Sequence, residues 1–260
     1  MDNWILCPVR NNLALTKEAM RTFLAQDIGN IRVLLIDNAS SDGTFDWAQS
    51  LPNNVFIARM DPPAGVGESW NRGLEHIFGE GAEHALVVNN DVELRPDTYR
   101  WLLEDGGGFV TAVGVRERGQ VFSAETHMDA LSGYPVPNPA AKRPHPDFSC
   151  YLIRKDLYRT VGPYDEHFKV AFCEDWDYHC RMHVAGIDAY CLDVPFLHHA
   201  SQTIKNAEPY EQEVIGRQAD LNREYFARKW GFRGATKEYE DFFNTPREEL
   251  RNRNRKAVQS

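Results

Sequence analysis

A chain of 260 residues with 42% apolar and 26% charged side chains can bury one large α/β core or two small ones, which excludes the disordered and low-complexity classes. Its net charge of −9 argues against broad nucleic-acid affinity, because that needs a basic surface. Five cysteines, Cys7, Cys150, Cys173, Cys180 and Cys191, fall in no paired metal-type spacing, and an odd number without CxxC fits reduced thiols better than a disulfide framework.

The first residues lack a basic region followed by a long apolar one, so no signal peptide is expected. No apolar run approaches the ~18 residues of a membrane span. The expectation is a soluble, cytoplasmic protein, with the basic run Arg251–Lys256 as a candidate contact to a membrane or phosphate surface.

Trp4–Val9 reads as a short buried strand stopped by Pro8 and the polar Arg10-Asn11-Asn12. A helix follows, with Thr16 as expected N-cap and Ala19, Met20, Phe23 and Leu24 on its apolar face. Ile31–Ile36 is the next strand. Ala39–Thr44 is a turn with helix-cap chemistry. Asn54–Ala58 is a third strand. The loop Pro62–Gly67 leads into a helix that places Trp70, Leu74, Ile77 and Phe78 on one face, and residues 85–88 form a further strand. This alternation argues for a parallel sheet covered by helices on both sides.

Beyond residue 90 the pattern loosens. Phe109–Val115 reads as a strand, and residues 132–148, with five prolines, as an irregular loop. Leu152–Val161 reads as strand running into helix, Asp175–Ala185 as helix, Ala189–Leu192 as a last short strand, and Val214–Trp230 as helix. Residues 235–260 read as a charged, partly ordered tail.

The most informative stretch is Ala85-Leu-Val-Val-Asn-Asn-Asp91. A buried strand there delivers two amides and a carboxylate at its C-terminal end, the edge where open α/β sheets bind ligands. A carboxylate at that edge can hold a hard divalent cation against phosphate oxygens. The plain alternative is an Asn-Asp turn after a strand.

Five blocks in order resemble the inverting family 2 glycosyltransferases of the GT-A fold. They are Ile5–Asn12, Val33–Thr44, Leu86–Asp91, Val161–Phe168 running into Phe172–Asp177, and Phe196–Ser201. The resemblance implies a Rossmann-like, mostly parallel central sheet flanked by helices, with a C-terminal helical tail. It implies one glycosyltransferase domain over residues 1–232, with 1–105 as the nucleotide-sugar half, 106–232 as the acceptor half, and 233–260 as the tail. It further implies Mn²⁺ or Mg²⁺, a nucleotide-diphosphate sugar donor, and transfer with inversion to a glycan, protein, small-molecule or modified-DNA hydroxyl. A homo-oligomer is a compatible state.

By position in those blocks, Pro8, Val9, Arg10, Asn11, Asp37 and Asn38 lie on the nucleotide side. A carboxylate such as Asp37 can accept the ring N–H of uracil or thymine, which favours UDP or dTDP donors; a strand-end Asp capping the next helix is the alternative. Gly65, Asn71 and Arg72 belong to a glycine loop and helix start suited to anions. Asn89-Asn90-Asp91 departs from the usual Asp-x-Asp motif: Asn89 stands in place of the first carboxylate and is expected on the ribose, Asn90 is the middle residue on the donor side, and Asp91 is expected on the metal. His198 or His199 completes the metal set, with His199 slightly preferred for its spacing to Thr203; Ser201 fits His198. Asp175 is the expected general base, Glu174 its partner, and Trp176 the acceptor contact. Tyr134, Tyr164 and Phe172 are further aromatics on that side. Asp177 is expected to pair with Arg181 one turn on.

Three other readings stay open. A nucleotidyltransferase would need a glycine-rich basic loop, and Pro8–Asn12 has no glycine. A metal-dependent nucleotide-sugar hydrolase would use Asp91, Glu174, Asp175 and His199 without an acceptor. A non-catalytic nucleotide-sugar-binding protein would have little use for both Asp91 and Asp175.

Overall fold

The computed structural model describes residues 2–116, 138–144, 146–199 and 205–250. Tyr134, Ser201, Thr203 and the basic run at 251–256 lie outside the described residues.

The first part of the chain alternates as expected: β1 (Asn3–Val9), α1 (Leu13–Leu24), β2 (Ile31–Asp37), α2 (Thr44–Gln49), β3 (Val55–Arg59), α3 (Val66–Gly79) and β4 (His84–Val88). The four strands pair in parallel in the order β3-β2-β1-β4. Successive side chains on a strand point to opposite faces, and here both faces are covered. Ile5, Cys7, Val33, Leu35, Leu86 and Val88 pack with Met20 and Phe23 of α1. Trp4, Leu6, Leu34, Ile36, Ala85 and Val87 pack with Trp70, Leu74 and Ile77 of α3. Continuous apolar runs such as Ala85–Val88 therefore reflect burial on two sides rather than one.

The second part contains β5 (Val92–Glu93), α4 (Thr98–Glu104), β6 (Phe109–Val115), β7 (Asn138–Arg143), β8 (Cys150–Arg154), α5 (Lys155–Val161), α6 (Glu174–Ala185), β9 (Ala189–His198), α7 (Pro209–Trp230) and α8 (Lys237–Asn244). β8 inserts antiparallel between β4 and β6, and β9 runs parallel to β6. The C-terminal ends of β1, β2, β4, β6 and β9 thus share one sheet edge. The first residue of β8 sits on it too, since Val88 pairs with Cys150 and the Asn89 N–H donates to the Ser149 carbonyl at 3.0 Å.

Several expectations are corrected. The first helix begins at Leu13, so Thr16 is a full turn inside it, its hydroxyl donating to the Asn12 carbonyl at 3.1 Å. Asp42 does the capping from the next loop: it accepts from the Leu13 N–H at 2.9 Å and the Thr44 N–H at 3.1 Å. Within the proline-rich segment, Asn138–Arg143 is a strand on β9 rather than loop. Pro139 is tolerated because β7 is an outer strand, and Lys142 and Arg143 hold it through Asp105 (3.0 Å) and Asp193 (3.2 Å). The last strand continues through Pro195 to His198, the proline falling at a register shift against β6, where a missing N–H is tolerated.

The charged C-terminal segment also contributes core. Tyr239 of α8 packs with Phe226 of α7 and Phe168, Cys173 and Cys180, and Phe242 and Phe243 join the same cluster. Truncating an aromatic there should cost about 3–5 kcal/mol. Phe226→Ala and Tyr239→Ala, measured singly and together by urea unfolding, should show a coupling of about 0.5–3 kcal/mol; strict additivity would mean that α8 does not share this core.

Candidate active site

A cavity of about 560 Å³ opens at the shared sheet edge, lined among others by Asn89, Asp147, Glu174, Asp175, Trp176 and Arg223. Its floor comes from the end of β4 and the turn before β8. One wall is the segment entering α6, and Arg223 reaches it from α7. Asn89, Glu174, Asp175 and Trp176 were expected; Asp147, Arg223 and the residue that holds the wall in place were not.

That wall has an unusual backbone. Val170, Phe172 and Cys173 have φ of 64°, 81° and 74°, a left-handed conformation that costs non-glycine residues of order 1–3 kcal/mol each. The buried amide of Asn222 on α7 compensates. It donates to the carbonyls of Lys169 (2.8 Å), Ala171 (2.9 Å) and Phe172 (3.1 Å), while its oxygen accepts from Gln218 at 2.9 Å. The turn ends in the Glu174–Asp175 pair at the start of α6. Burial first, and the Asp175 charge second, push the Glu174 carboxyl up to about 8. Burial also raises Asp175, although its Oδ1 accepts from the Trp176 N–H at 2.8 Å. Adjacent carboxylates cannot both ionise cheaply in a dry site, so the pair holds a proton well above the ordinary carboxylate range. Glu174 Oε2 is buried without a hydrogen-bond partner among the described residues.

Asp147 lines the same cavity, but its carboxylate accepts from the Ser149 N–H (2.9 Å) and the Gly114 N–H (3.2 Å). Its charge adds to the push on Asp175. Behind Gly114, where a side chain would meet both Asp147 and His198, stands the Asp91 pair. Asp91 Oδ1 lies 3.4 Å from His198 Nε2, whereas His199 Nε2 lies 3.0 Å from Glu93 Oε1. Of the two expected histidines, His198 is the one whose ring lies beside Asp91: β5 pairs with β9 so that Val92 faces His198, while the His199 ring lies beside Glu93 and its N–H donates to the Asp91 carbonyl at 2.9 Å. Among the described residues no three His, Cys, Asp or Glu side chains form a metal cage. A carboxylate and an imidazole side by side fit an Mn²⁺ or Mg²⁺ ion that takes its remaining oxygens from phosphate and water.

The nucleotide-side residues divide. Asp37 is fully buried; its Oδ2 accepts from Arg59 (3.0 Å) and the Ser40 N–H (3.3 Å), and its Oδ1 has no partner among the described residues. Val9 accepts the Asn38 N–H at 2.8 Å, and Pro8 pairs with Ile36 in the sheet. Asn11 and Asn38 brace loops: Asn11 Oδ1 accepts from the Ser41 N–H at 2.8 Å, and the Asn38 amide pairs both ways with Ala64 at 2.7 and 2.6 Å. Arg10 pairs with Glu211 of α7 at 3.3 Å.

Of four residues expected on the donor side, three make contacts within the protein and the fourth, Arg72, is exposed. Asn71 is buried and spends its amide on Tyr158, Tyr164 and Glu166 at 2.7–3.3 Å. Asn90 is buried and donates to Thr16 Oγ1 at 3.0 Å. Gly65 is required by protein backbone, since a Cβ would come within 3.0 Å of the Phe168 carbonyl. Arg72 is exposed on α3, away from the cavity lining. Tyr164 is likewise core, its hydroxyl donating to Tyr151 at 2.9 Å. Asp177 does lie 3.7 Å from Arg181, but Lys229 (2.7 Å) and Trp230 (2.9 Å) of α7 are its nearer partners.

The family model "Glycosyl transferase family 2" matches residues 4–162, more than half of the chain. The chain belongs to glycosyltransferase family 2. Relatives of this glycosyltransferase include a PGL/p-HBAD biosynthesis glycosyltransferase of Mycobacterium bovis (strain BCG / Pasteur 1173P2), 23% identical over 68% of each chain. An N-acetylglucosaminyl-diphospho-decaprenol L-rhamnosyltransferase of Mycobacterium tuberculosis is 27% identical over 66% of this chain and 68% of that one. Among solved structures, the mannosyltransferase PcManGT from Pyrobaculum calidifontis, in complex with GDP-Man and Mn²⁺, superposes with a TM-score of 0.60 at 17% identity, over 93% of this chain and 67% of that one. S. aureus TarS in complex with UDP gives 0.55 at 18% identity, over 89% and 72%. The fold is GT-A, a mixed α/β sheet flanked by helices.

Two outcomes follow from the wall. Asn222→Ala should lower the unfolding free energy by about 1–3 kcal/mol, because it removes a buried amide and the donor shared by three carbonyls, and should make the 169–173 turn the first site of proteolytic cleavage. Glu174 binds its proton more tightly folded than unfolded, so stability falls as pH rises from the ordinary carboxylate range toward about 8. Melting temperatures taken across that range should decline less steeply for Glu174→Gln than for the wild type.

Proposed function

We propose that this glycosyltransferase is metal-dependent and inverting. It moves one sugar from a nucleotide-diphosphate sugar, of UDP or dTDP type, to an acceptor hydroxyl. The observation that carries this reading is Asp175, a carboxylate on the cavity wall at the sheet edge beside a second, buried carboxyl, Glu174.

Inversion in one displacement needs a base to take the acceptor proton as the oxygen attacks the anomeric carbon. Burial raises both carboxyls, and two neighbouring charges resist ionising together, so the pair carries one charge between them. Asp175 is the member given the acceptor proton, because it is half-buried and lines the cavity while Glu174 is buried beside it. Asn89, on the cavity floor, contacts the ribose. The unspent Oδ1 of Asp37 supports a base that donates a ring N–H. Arg223 supplies positive charge on the cavity lining for the diphosphate. Asp91 and His198 hold the metal, which when bound would offset charge on the leaving nucleotide. Residues 1–105 then form the donor half and 106–232 the acceptor half. Neighbours whose structures hold GDP-Man with Mn²⁺ or UDP support a nucleotide donor and a divalent ion.

Thermal melting against UDP-, dTDP-, GDP- and CMP-sugars, each with Mn²⁺ or EDTA, tests this. Native-state ligands raise the melting temperature by mass action. The expected result is a metal-dependent shift confined to UDP or dTDP donors and lost in Asp91→Ala. Shifts with GDP donors alone would overturn the base assignment, and metal-independent shifts the Asp91 assignment. Asp175→Asn should keep the donor shift while turnover falls about 10²–10⁴-fold; undiminished turnover would remove Asp175 as the base.

A further inference from the structure

A second cavity, of about 300 Å³, adjoins the first. The two share Pro146, Phe148, Asp175 and Trp176 as lining, so the expected base stands at their junction. On the far side the walls come from His179 of α6 and from Ala235, Tyr239 and Glu240 of the C-terminal segment. The walls are held in place: His179 Nδ1 lies 3.0 Å from the Tyr239 hydroxyl, and its ring stacks on Phe243 at 4.0 Å. Trp176 packs against Phe226 and Tyr239 at 5.8 and 6.1 Å. At Gly234 the chain crosses the indole so closely that a Cβ would come within 1.8 Å of it. Only glycine lets the C-terminal segment close the cavity there.

We propose that this second cavity is the acceptor subsite and that it takes a neutral sugar ring. The inference rests on the glycosyltransferase reading with Asp175 as base, and adds the acceptor's place and class. Phe148, Trp176 and Tyr239 are the aromatic residues of the lining, and an aromatic wall suits the C–H side of a pyranose. The charged side chains of the lining are the carboxylates Asp175 and Glu240; no lysine or arginine lines it among the described residues. Such a wall repels phosphate or carboxylate on the acceptor. A cavity of this size suits one ring. The acceptor hydroxyl at the junction gives its proton to Asp175 and forms a bond to the anomeric carbon of the donor in the larger cavity. The bond from that carbon to the diphosphate oxygen breaks, and its electron pair leaves with the nucleotide.

The test is ligand-observed saturation-transfer NMR with methyl hexosides and with the 6-phosphates of the same hexoses, with and without UDP and Mn²⁺. The variant Ala235→Phe fills the cavity from an exposed position of the C-terminal segment. Wild type should bind neutral hexosides, prefer them to the phosphates, and lose at least about tenfold in affinity in Ala235→Phe. Donor-induced melting shifts should be the same in both proteins. Should Ala235→Phe fail to fold, Glu240→Arg on the exposed face of α8 serves instead and should raise binding of the hexose 6-phosphates. Hexoside binding that is absent in wild type, or indifferent to both substitutions, overturns the subsite; preference for phosphates in wild type overturns the ligand class. Loss of every donor-induced shift in wild type would instead sink the donor reading, and is read separately from hexoside binding.

Discussion

One buried amide holds the geometry on which the site depends. The residues before α6 occupy left-handed backbone that bulky side chains avoid, and without compensation the turn would relax into a more common path. Asn222 reaches it from a helix some 50 positions later in the chain and shares its two N–H donors among three carbonyls. Because the Asn222 amide is buried, it faces little competition from water, and removing it would take the donor from all three carbonyls. The Glu174–Asp175 pair follows directly from this turn, so the carboxylates are aimed by α7 as much as by their own helix.

The pair gains its chemistry from the same packing that costs it stability. Burial raises both carboxyls, and Asp147 adds negative charge from the turn before β8. A protein selected only for stability would replace Glu174 with a neutral residue. Retaining it keeps one proton and one negative charge in a small volume, an arrangement that suits proton transfer at neutral pH.

α8 joins the core and walls the smaller cavity at once. Its net composition is acidic and polar, yet Tyr239, Phe242 and Phe243 recur on one face and bury against α6 and α7. That packing supplies the outer wall of the smaller cavity. The two cavities share Asp175 and Trp176 as lining, so one carboxylate borders both.

Much of this was legible in the residues. The alternation of buried runs and amphipathic helices sets the parallel half of the sheet, because side-chain period and burial on two faces are local properties. The strand ending in Asn89-Asn90-Asp91 and the Glu174-Asp175 pair stand out as polar groups at element ends. What one-dimensional pattern cannot carry is direction and partner. Asn71 and Asn90 have the right type and position for ligands, and only the fold shows that their amides also bond within the protein, to Tyr164 and Glu166 and to Thr16. His198 and His199 differ by one residue, and only the pairing of β5 with β9 decides which imidazole meets Asp91. Asn222, Arg223, Asp147 and the wall made by α8 lie far from the motifs they serve, joined to them by long-range packing. The sequence by itself determined the family, the sheet core and the chemistry available at the strand ends. The tertiary structure alone decided which of those groups share a cavity, because that depends on contacts between residues dozens of positions apart.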